Sequence, residues 1–265
     1  FATEPDSTDP RYLRMLIAYE DRRYWKHTGV DPIALVRAAG QFLTNGRVVS
    51  GASTITMQVA RLLEPRPRNL ASKLVEIYRA LQLEARYSKD EILRMYLTLA
   101  PFGGNLEGVR AASLAWFEKE PIHLTDGEAA LLVAIPQSPN RRRPDRHPNK
   151  AKAARDRVVE RVARILNWQP SRVMEAKSES ISYRRNPMPF LAPHFAERLL
   201  QRAARRQGEH RTRIDRNAQE IARRLVNRQA RSLGDEVNGA AIIADRENGE
   251  IVAYVGSSGY WQRDR

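Results

Sequence analysis

Apolar residues recur at the spacing of amphipathic helices through most of the first 165 residues. Asp9 and Pro10 are typical of the cap and the first residue of a helix, and apolar side chains then follow at helical spacing. The first such set is Leu13, Leu16 and Ile17. A later set, predicted to form an apolar stripe on another helix, is Leu70, Leu74, Ile77 and Leu81. The pattern therefore predicts a mainly α domain with short connections.

Two further helix starts are marked by a hydroxyl residue with a glutamate three positions later. Ser88 with Glu91, and Thr125 with Glu128, both fit a capping box, in which each side chain bonds to the backbone N–H of the other residue. Because a capping box already gives Glu128 a partner, a structural role is favoured for it over catalysis.

The pattern changes after Asn140 and divides the chain. A segment rich in arginine and proline leads into a basic helix from about residue 149 to 166. Residues 167–209 contain several prolines and little periodicity, which predicts a linker. We therefore place the first domain at residues 1–166 and the beginning of a second domain at residues 210–265.

The second segment predicts a short α+β fragment. A helix is expected from about residue 217 to 232. Two apolar runs, residues 240–245 and 251–255, then flank Asn248 and Gly249, a pair typical of a β-hairpin turn.

Charge and composition narrow the class of protein. Forty-five Lys and Arg against 31 Asp and Glu give a formal charge of +14, which predicts an anionic partner such as lipid headgroups, a pyrophosphate-linked substrate or nucleic acid. Nucleic acid is disfavoured because the basic segments lack interleaved aromatic residues. The chain has no cysteine, which excludes disulfides and thiol nucleophiles. Its longest apolar run, Ala129 to Pro136, is far shorter than the roughly 20 residues of a membrane span.

Candidate chemistry lies at the end of the first predicted helix. Glu20 and Asp21 place two carboxylates there, and His27 and Gly29 follow in a turn. A partly desolvated carboxylate at such a place can act as a general base. A cap, a salt bridge or a buried histidine that fixes the turn explains the segment as well, and from this segment alone the structural explanation is favoured.

Small and hydroxyl-bearing residues from Ser50 to Thr54 lead into an apolar helix that carries Arg61. Backbone N–H groups, hydroxyls and the positive end of a helix are typical of a phosphate site, although an ordinary helix cap accounts for the turn equally well. Further along, Lys73 and Glu76 are three residues apart, which is also the spacing of an ordinary ion pair on a helix.

Five short motifs can be defined from these segments, in chain order. The first consists of Glu20, Asp21, Tyr24, His27 and Gly29. The second consists of Gly51, Ser53, Thr54, Ile55, Thr56 and Gln58. The third is the pair Lys73 and Glu76. The fourth consists of Ile92, Leu93, Tyr96, Leu97, Phe102 and Gly103, and the fifth of Glu128, Ala129, Ala130, Leu132 and Pro139.

In order and spacing the five motifs resemble those of the peptidoglycan glycosyltransferases of family 51, the polymerising domain of class A penicillin-binding proteins. The resemblance covers about residues 10 to 165. Four positions depart from the family pattern: Ala52, Met57, Ser72 and Thr98. Arg68 lies near enough to Lys73 to compensate for the arginine that Ser72 replaces.

The resemblance implies a fold and an activity. The fold is a two-lobed, lysozyme-like helical domain, followed here by the opening of a transpeptidase domain. The activity is polymerisation of lipid II into β-1,4-linked glycan strands, with inversion and release of undecaprenyl pyrophosphate. Because the chain has no Ser-x-x-Lys and no Lys-Thr-Gly sequence, we expect it to form no acyl-enzyme with β-lactams.

The resemblance also implies roles for individual residues. Glu20 is the expected base and Glu76 the residue that orients the cations around the pyrophosphate. The expected substrate-binding residues are Asp21, His27, Arg47, Ser53, Thr54, Gln58, Arg61, Arg68 and Lys73. No metal ligand and no required cofactor are expected, although a divalent cation, Mg²⁺ or Mn²⁺, can share the pyrophosphate.

The partners implied are lipid II, the growing glycan strand, the membrane surface and other cell-wall synthesis proteins, but not nucleic acid. The location implied is the periplasmic face of the bacterial inner membrane, with an N-terminal anchor expected before Phe1. Membrane contact is expected from Val30, Ile33, Leu35, Val36, Phe42 and Leu43, with Arg37 and Arg47. The alternatives are a lysozyme-like, glycan-cleaving enzyme and a non-catalytic protein that binds lipid II or glycan.

Overall fold

A computed structural model describes most of the chain, which divides into two compact units, Phe1–Met188 and Pro189–Arg265. The described residues are 3–45, 53–67, 69–181, 184–202, 210–234 and 236–260, with the backbone alone described at 38, 39 and 41–45. Among them no helix is long and apolar enough to cross a membrane.

The first unit is mainly helical, which confirms the predicted class. Its helices are α1 (Pro10–Glu20), α2 (Pro32–Asn45), α3 (Ile55–Leu63), α4 (Leu70–Glu84), α5 (Lys89–Leu99), α6 (Val109–Phe117), α7 (Asp126–Ala134), α8 (Pro148–Leu166) and α9 (Pro170–Ser178). Two very short antiparallel strands, β1 (Pro101–Gly103) and β2 (Leu106–Glu107), connect α5 to α6.

Helix starts follow the chemistry predicted from the sequence. Asp9 caps α1 by accepting a hydrogen bond from the Arg11 backbone N–H at 2.8 Å, and Pro10 is the first helical residue. Both predicted capping boxes, at the starts of α5 and α7, are present. The carboxylate of Glu128 is therefore bound to the backbone N–H of Thr125, at 2.9 Å, as the structural explanation requires.

The core of the first unit is built around α7. Every residue from Ala129 to Ile135 is buried, and α7 packs against α1, α6, α8 and α9. A helix that is apolar on all sides is stable only when other elements surround it. The C-terminal end of α1, where Glu20 lies, is thereby held against a rigid support.

The apolar stripe predicted on α4 faces solvent instead of the core. Leu70, Leu74 and Leu81 are 86%, 68% and 46% exposed. The buried face of α4 instead carries Ser72, Glu76 and Ala80. This helix turns its polar face toward α3 because that orientation brings Glu76 and Lys73 beside Ser53 and Arg61.

The predicted linker at residues 167–209 contains two helices. One of them, α9, packs against α7 and α8 and lies within the first compact unit. Arg155 on α8 fixes α9 in place: its guanidinium is 1% exposed and donates to the carbonyl oxygens of Lys177 and Glu179, each at 2.6 Å. Asp156 accepts a third bond from the same guanidinium.

Replacing Arg155 with methionine should destabilise the first unit by about 2 to 4 kcal/mol, because two buried carbonyl groups lose their donor. The measurement is the midpoint of urea unfolding followed by circular dichroism. Arg157→Met is the matched control on the exposed side of α8 and should change stability by less than about 0.5 kcal/mol. Equal midpoints for the two variants would contradict this role of Arg155.

Stability should decrease in acid. A side-chain hydrogen bond from Arg143 holds the pKa of Asp145 below its ordinary value of 3.8. For Asp9 burial raises the pKa, but hydrogen bonds from the side chain and backbone of Arg11 outweigh it and leave the pKa lowered. A carboxyl with a lowered pKa in the folded state stabilises that state above its unfolded pKa. This stabilisation is lost as the pH falls through the folded pKa. We expect a constant urea midpoint from pH 7 to 5 and a falling midpoint below about pH 4.

The second unit contains a helix packed on a hairpin. Its elements are α10 (Pro193–Arg202), α11 (Arg216–Leu233), β3 (Ala241–Ala244) and β4 (Ile251–Val255). The two strands pair antiparallel, so the predicted hairpin and its preceding helix are confirmed. Gln219 on α11 joins helix and strand, since its side chain accepts from the backbone N–H of Tyr254 and donates to that residue's carbonyl oxygen.

Candidate active site

Glu20 lies between two cavities of the first unit. One cavity, of about 640 Å³, contains Ser53, Gln58, Arg61, Lys73 and Glu76, and we call it the lysine cavity. The other, of about 270 Å³, contains Arg22, Arg23, Asp31, Arg37 and Thr54, and we call it the arginine cavity. Tyr19, Glu20, Ser53 and Arg161 line both. A carboxylate therefore separates two cation-lined spaces.

Both oxygens of the Glu20 carboxylate accept hydrogen bonds from side-chain amides. Gln58 on α3 donates through Nε2 to Oε2 at 3.0 Å, and Gln137 donates through Nε2 to Oε1 at 2.7 Å. Arg142 orients Gln137, because its guanidinium donates to Gln137 Oε1 at 2.8 Å and to the carbonyl oxygen of Ala134 at 2.6 Å. The carboxylate is thus held in one place as an acceptor, the state that a base requires.

Two buried tyrosines accompany this carboxylate. Tyr12 on α1 and Tyr96 on α5 are almost completely excluded from water. Burial raises the pKa of both phenols, and the negative charge of Glu20 raises each further. Both phenols therefore remain neutral.

A cluster of opposite charges lines the lysine cavity. Lys73 Nζ lies 2.6 Å from the Ser53 hydroxyl and 3.0 Å from Glu76 Oε2. Arg61 approaches the other oxygen of Glu76 at 3.9 Å. Glu76 is 9% exposed, whereas the side chains of Lys73 and Arg61 are about one-third exposed. The carboxylate therefore lies behind two cations that are open to the cavity, as expected for a residue that orients them.

The arginine cavity has an internal ion pair. Arg23 Nε donates to Asp31 Oδ2 at 3.0 Å, and Arg23 Nη2 donates to Asp31 Oδ1. Burial raises the pKa of Asp31, but hydrogen bonds from the Ala34 N–H and from Arg23 outweigh it, and the pKa is lowered. Arg22 and Arg37 complete the basic lining. The surplus of arginine suits this space to an anionic group.

Asp21 and His27 form a buried structural pair. His27 Nε2 lies 2.9 Å from Asp21 Oδ1, and Asp21 Oδ2 accepts the N–H of Ile55 at 3.0 Å. Both residues are less than a tenth exposed, and His27 lines neither cavity. The pair joins the end of α1 to the start of α3. His27 was expected among the substrate-binding residues, but the structure places it behind Asp21 and away from both cavities.

The first turn of α3 is already capped by the protein. Thr54 accepts the N–H of Met57 and donates its hydroxyl hydrogen to the carbonyl oxygen of Gly29. Thr54 thus occupies the backbone N–H of Met57, and Asp21 occupies that of Ile55, so neither N–H is open to a phosphate. Ser53 and the cations of the lysine cavity, in contrast, line an open space. Arg47, Gly51, Ala52 and Arg68 lie outside the described residues.

Besides the arginine cavity residues, the structure brings Tyr19, Gln137, Arg142 and Arg161 to the site, and the motifs did not indicate them. Arg161 on α8 lies over the ring of Tyr19 at 4.7 Å, a cation–π contact at the edge of both cavities. The available sequence signal was the basic face of α8 and the Pro136-Gln137 pair ahead of Pro139. Neither shows from sequence alone that it lies beside Glu20.

Among the described residues, no group of three or more His, Cys, Asp and Glu side chains is placed to hold a metal ion. The two carboxylates of the lysine cavity are also engaged, Glu20 by two amides and Glu76 by Lys73 and Arg61. The donor set on this side of the cleft fits an anion better than a cation.

Gln137 is predicted to position Glu20. With Gln137→Ala we expect kcat to fall about tenfold while KM changes by less than about twofold, because the Glu20 carboxylate loses a donor that fixes its position. Gln137→Asn, which retains the amide on a shorter side chain, should have a kcat between those of wild type and Gln137→Ala. An unchanged kcat in Gln137→Ala would contradict this role.

Comparison with known proteins agrees with the motifs. The family described as Transglycosylase matches residues 2–163. Penicillin-binding protein 1C of Escherichia coli is 44% identical over 252 residues, which cover 95% of this chain and 32% of that protein. Penicillin-binding protein 1A of Aquifex aeolicus is 32% identical over 210 residues, which cover 79% of this chain and 29% of that protein.

A solved structure of penicillin-binding protein 1A from Haemophilus influenzae aligns with a TM-score of 0.36 and 20% identity, over 72% of this chain and 28% of that chain, a likeness that supports no inference. The chain spans about a third of the length of the curated relatives it matches. The Thr56-Met57-Gln58 form of the second motif predicts that the chain is most like the penicillin-binding protein 1C branch of the family. The 44% identity to the E. coli protein of that name agrees with this prediction. The chain therefore belongs to the transglycosylase family, the peptidoglycan glycosyltransferases of class A penicillin-binding proteins.

Proposed function

We propose that this chain polymerises lipid II into β-1,4-linked glycan and releases undecaprenyl pyrophosphate, with Glu20 as the general base. The observation that carries the proposal is the Glu20 carboxylate, fixed by two amide donors between two cation-lined cavities. A transferase that joins two pyrophosphate-linked sugars needs a base between two anion sites, and this arrangement supplies them.

The lysine cavity is assigned to the donor, the growing glycan on its lipid pyrophosphate. Lys73 and Arg61 are assigned to the side of the bond that breaks, and the Ser53 hydroxyl, which accepts a hydrogen bond from Lys73, keeps its own hydrogen to donate beside them. Negative charge develops on the pyrophosphate as its bond to the sugar C1 lengthens, and preorganised donors stabilise that charge. Arg47 and Arg68 are assigned to the same task by their motif positions.

The arginine cavity is assigned to the acceptor lipid II, whose pyrophosphate would lie near Arg22, Arg23 and Arg37. Glu20 accepts the proton of the GlcNAc 4-hydroxyl while that oxygen attacks C1 of the donor sugar. The new C–O bond forms on the face opposite the leaving pyrophosphate, so the linkage is inverted. Proton transfer of this kind contributes about 100- to 10,000-fold to the rate.

Two buried groups position this machinery. Asp21, held by His27, ties the base-bearing end of α1 to the start of α3, which carries Gln58. Glu76 keeps Lys73 directed toward Ser53. No step requires a metal; Mg²⁺ or Mn²⁺ would add positive charge at the pyrophosphate.

The membrane face is assigned to α2. Ile33 and Val36 are 63% and 73% exposed, and Arg37 lies beside them on the same helix. Exposed apolar side chains next to a cation suit a surface set into anionic headgroups. Location at the periplasmic face of the inner membrane, and contact with other cell-wall synthesis proteins, belong to the same proposal.

The test separates synthesis from cleavage. The chain is incubated with labelled lipid II in detergent and, separately, with purified peptidoglycan. The proposal predicts polymer from lipid II and no soluble fragments from peptidoglycan. Fragment release without polymer would identify a lysozyme-like enzyme, which needs no cationic cavity for a pyrophosphate. Binding of lipid II with neither product would leave a non-catalytic binding protein.

A further inference from the structure

A third cavity is lined in part by Arg142, the residue that donates to Gln137. Its volume is about 410 Å³, and it is formed by residues 138–142 and the first turns of α8. Arg141, Arg142, Lys150 and Arg157 contribute four positive charges to its lining, and we call it the α8 cavity. No carboxylate is among its lining residues.

Three of the four cations of the α8 cavity, Arg141, Lys150 and Arg157, are exposed to solvent. Within the described part of the chain, Arg141, Lys150 and Arg157 have no carboxylate at ion-pair distance. The two acidic residues of α8 are engaged elsewhere, Asp156 by Lys152 and Arg155 and Glu160 by Lys177.

The fourth cation, Arg142, is fixed instead of free. Its guanidinium binds the carbonyl oxygen of Ala134 and Gln137 Oε1. Burial lowers its pKa, while nearby Tyr19 and Glu20 raise it and the like charge of Arg157 lowers it. Repulsion between neighbouring cations is relieved when an anion binds between them, so the proximity of Arg142 and Arg157 favours an anionic ligand at the α8 cavity.

The α8 cavity continues toward the catalytic cleft. Arg157 and Arg161 are one helical turn apart on the same face of α8, and Arg161 lines both cavities beside Glu20. At 1.5 Å per residue, Lys150 and Arg161 are about 16 Å apart along the helix. A substrate held at Glu20 can therefore extend an anionic arm along this face.

We propose that the α8 cavity binds the carboxylates of the peptide arms carried by the glycan at Glu20. The inference rests on the proposed function, because that function places a peptide-bearing glycan in the adjoining cleft. The phosphates of the substrate are needed at the lysine and arginine cavities, so the anionic groups left to reach α8 are peptide carboxylates. Arginine forks match carboxylates in geometry, and the lining has no aromatic side chain on which a nucleic-acid base could stack.

The test measures binding of two soluble glycan oligomers, one with its peptide arms and one stripped of them. The variant is Arg141→Gln, Lys150→Gln, Arg157→Gln in the full 265-residue chain. Arg142 is left intact because it also contacts Gln137. The matched control removes three exposed arginines from α11 of the second unit: Arg223→Gln, Arg228→Gln, Arg231→Gln.

We expect the triple variant to bind the peptide-bearing glycan about 3- to 125-fold more weakly than wild type, since each exposed charge contact contributes a factor of about 1.5 to 5. Binding of the stripped glycan, and both affinities of the α11 control, should not change. Equal affinity of wild type and triple variant for the peptide-bearing glycan would overturn the proposal. An equal loss of affinity for the stripped glycan would also overturn it. So would a result in which the three substitutions weaken binding only when single-stranded DNA is the ligand.

Polymerisation of lipid II by the wild-type chain is read in parallel. Absence of polymer would count against the proposed function, whereas the affinity difference between the two glycans would still report on the α8 cavity. Failure of one inference is therefore distinguishable from failure of the other.

Discussion

Glu20→Gln should reduce glycan polymerisation by at least about 100-fold and leave lipid II affinity within about twofold of wild type. The amide has nearly the same shape as the carboxylate and can still bond to both neighbours after the Gln58 side-chain amide turns over to present its oxygen. Gln137 keeps its orientation because Arg142 donates to its Oε1. It cannot accept a proton from the attacking hydroxyl. The measurement is initial rate with labelled lipid II beside a binding titration.

Two variants make this result specific. Glu20→Asp retains a carboxylate but withdraws it from the attacking oxygen, so we expect partial activity. Asp21→Asn breaks the pair with His27 and the cap on Ile55, and it should lower stability as well as rate. Activity of Glu20→Gln close to wild type would remove Glu20 from the role of base.

Lys73→Met should lower kcat/KM by about 100- to 1,000-fold, the effect typical of removing one preorganised donor from a developing anion. Lys73 is the cation closest to both Ser53 and Glu76, and its loss leaves a nearly buried carboxylate facing the pyrophosphate. We expect weaker substrate binding and slower turnover together, measured over a range of lipid II concentrations.

The control for Lys73→Met distinguishes two causes of its effect. One is loss of the attraction between Lys73 and the pyrophosphate, and the other is repulsion of the pyrophosphate by the Glu76 carboxylate. In the double variant Lys73→Met, Glu76→Gln the uncompensated carboxylate is removed, so part of the loss in kcat/KM should be recovered. Lys73→Arg keeps the charge with a different geometry and should retain more activity than Lys73→Met. If Lys73→Met polymerised lipid II normally, the lysine cavity would not be the donor site.

The sequence predicted the helices and their starts because the signals for these are local. The cap at Asp9 and the two capping boxes involve residues at most three positions apart, and the structure has all three. The hairpin at Asn248-Gly249 is equally local. The motifs also identified the Glu20, Gln58, Lys73 and Glu76 side chains, which the structure brings into one cleft.

The rest of the site depends on contacts between residues far apart in the chain. Gln137 is 117 residues from Glu20, and no periodicity connects them. The orientation of α4 also depends on distant contacts: its leucines follow helical spacing, but Ser72 and Glu76 are among the residues that it buries. Asp21, adjacent to Glu20 in sequence, is used as a cap on α3, which only the fold reveals.

The most direct measurement of the central claim is the stoichiometry of the wild-type reaction with doubly labelled lipid II. One label follows the sugar and the other follows the undecaprenyl pyrophosphate. The account predicts one pyrophosphate carrier released for each glycosidic bond formed, in a polymer that a muramidase digests. Sugar that stays attached to its carrier, with no polymer formed, would contradict it.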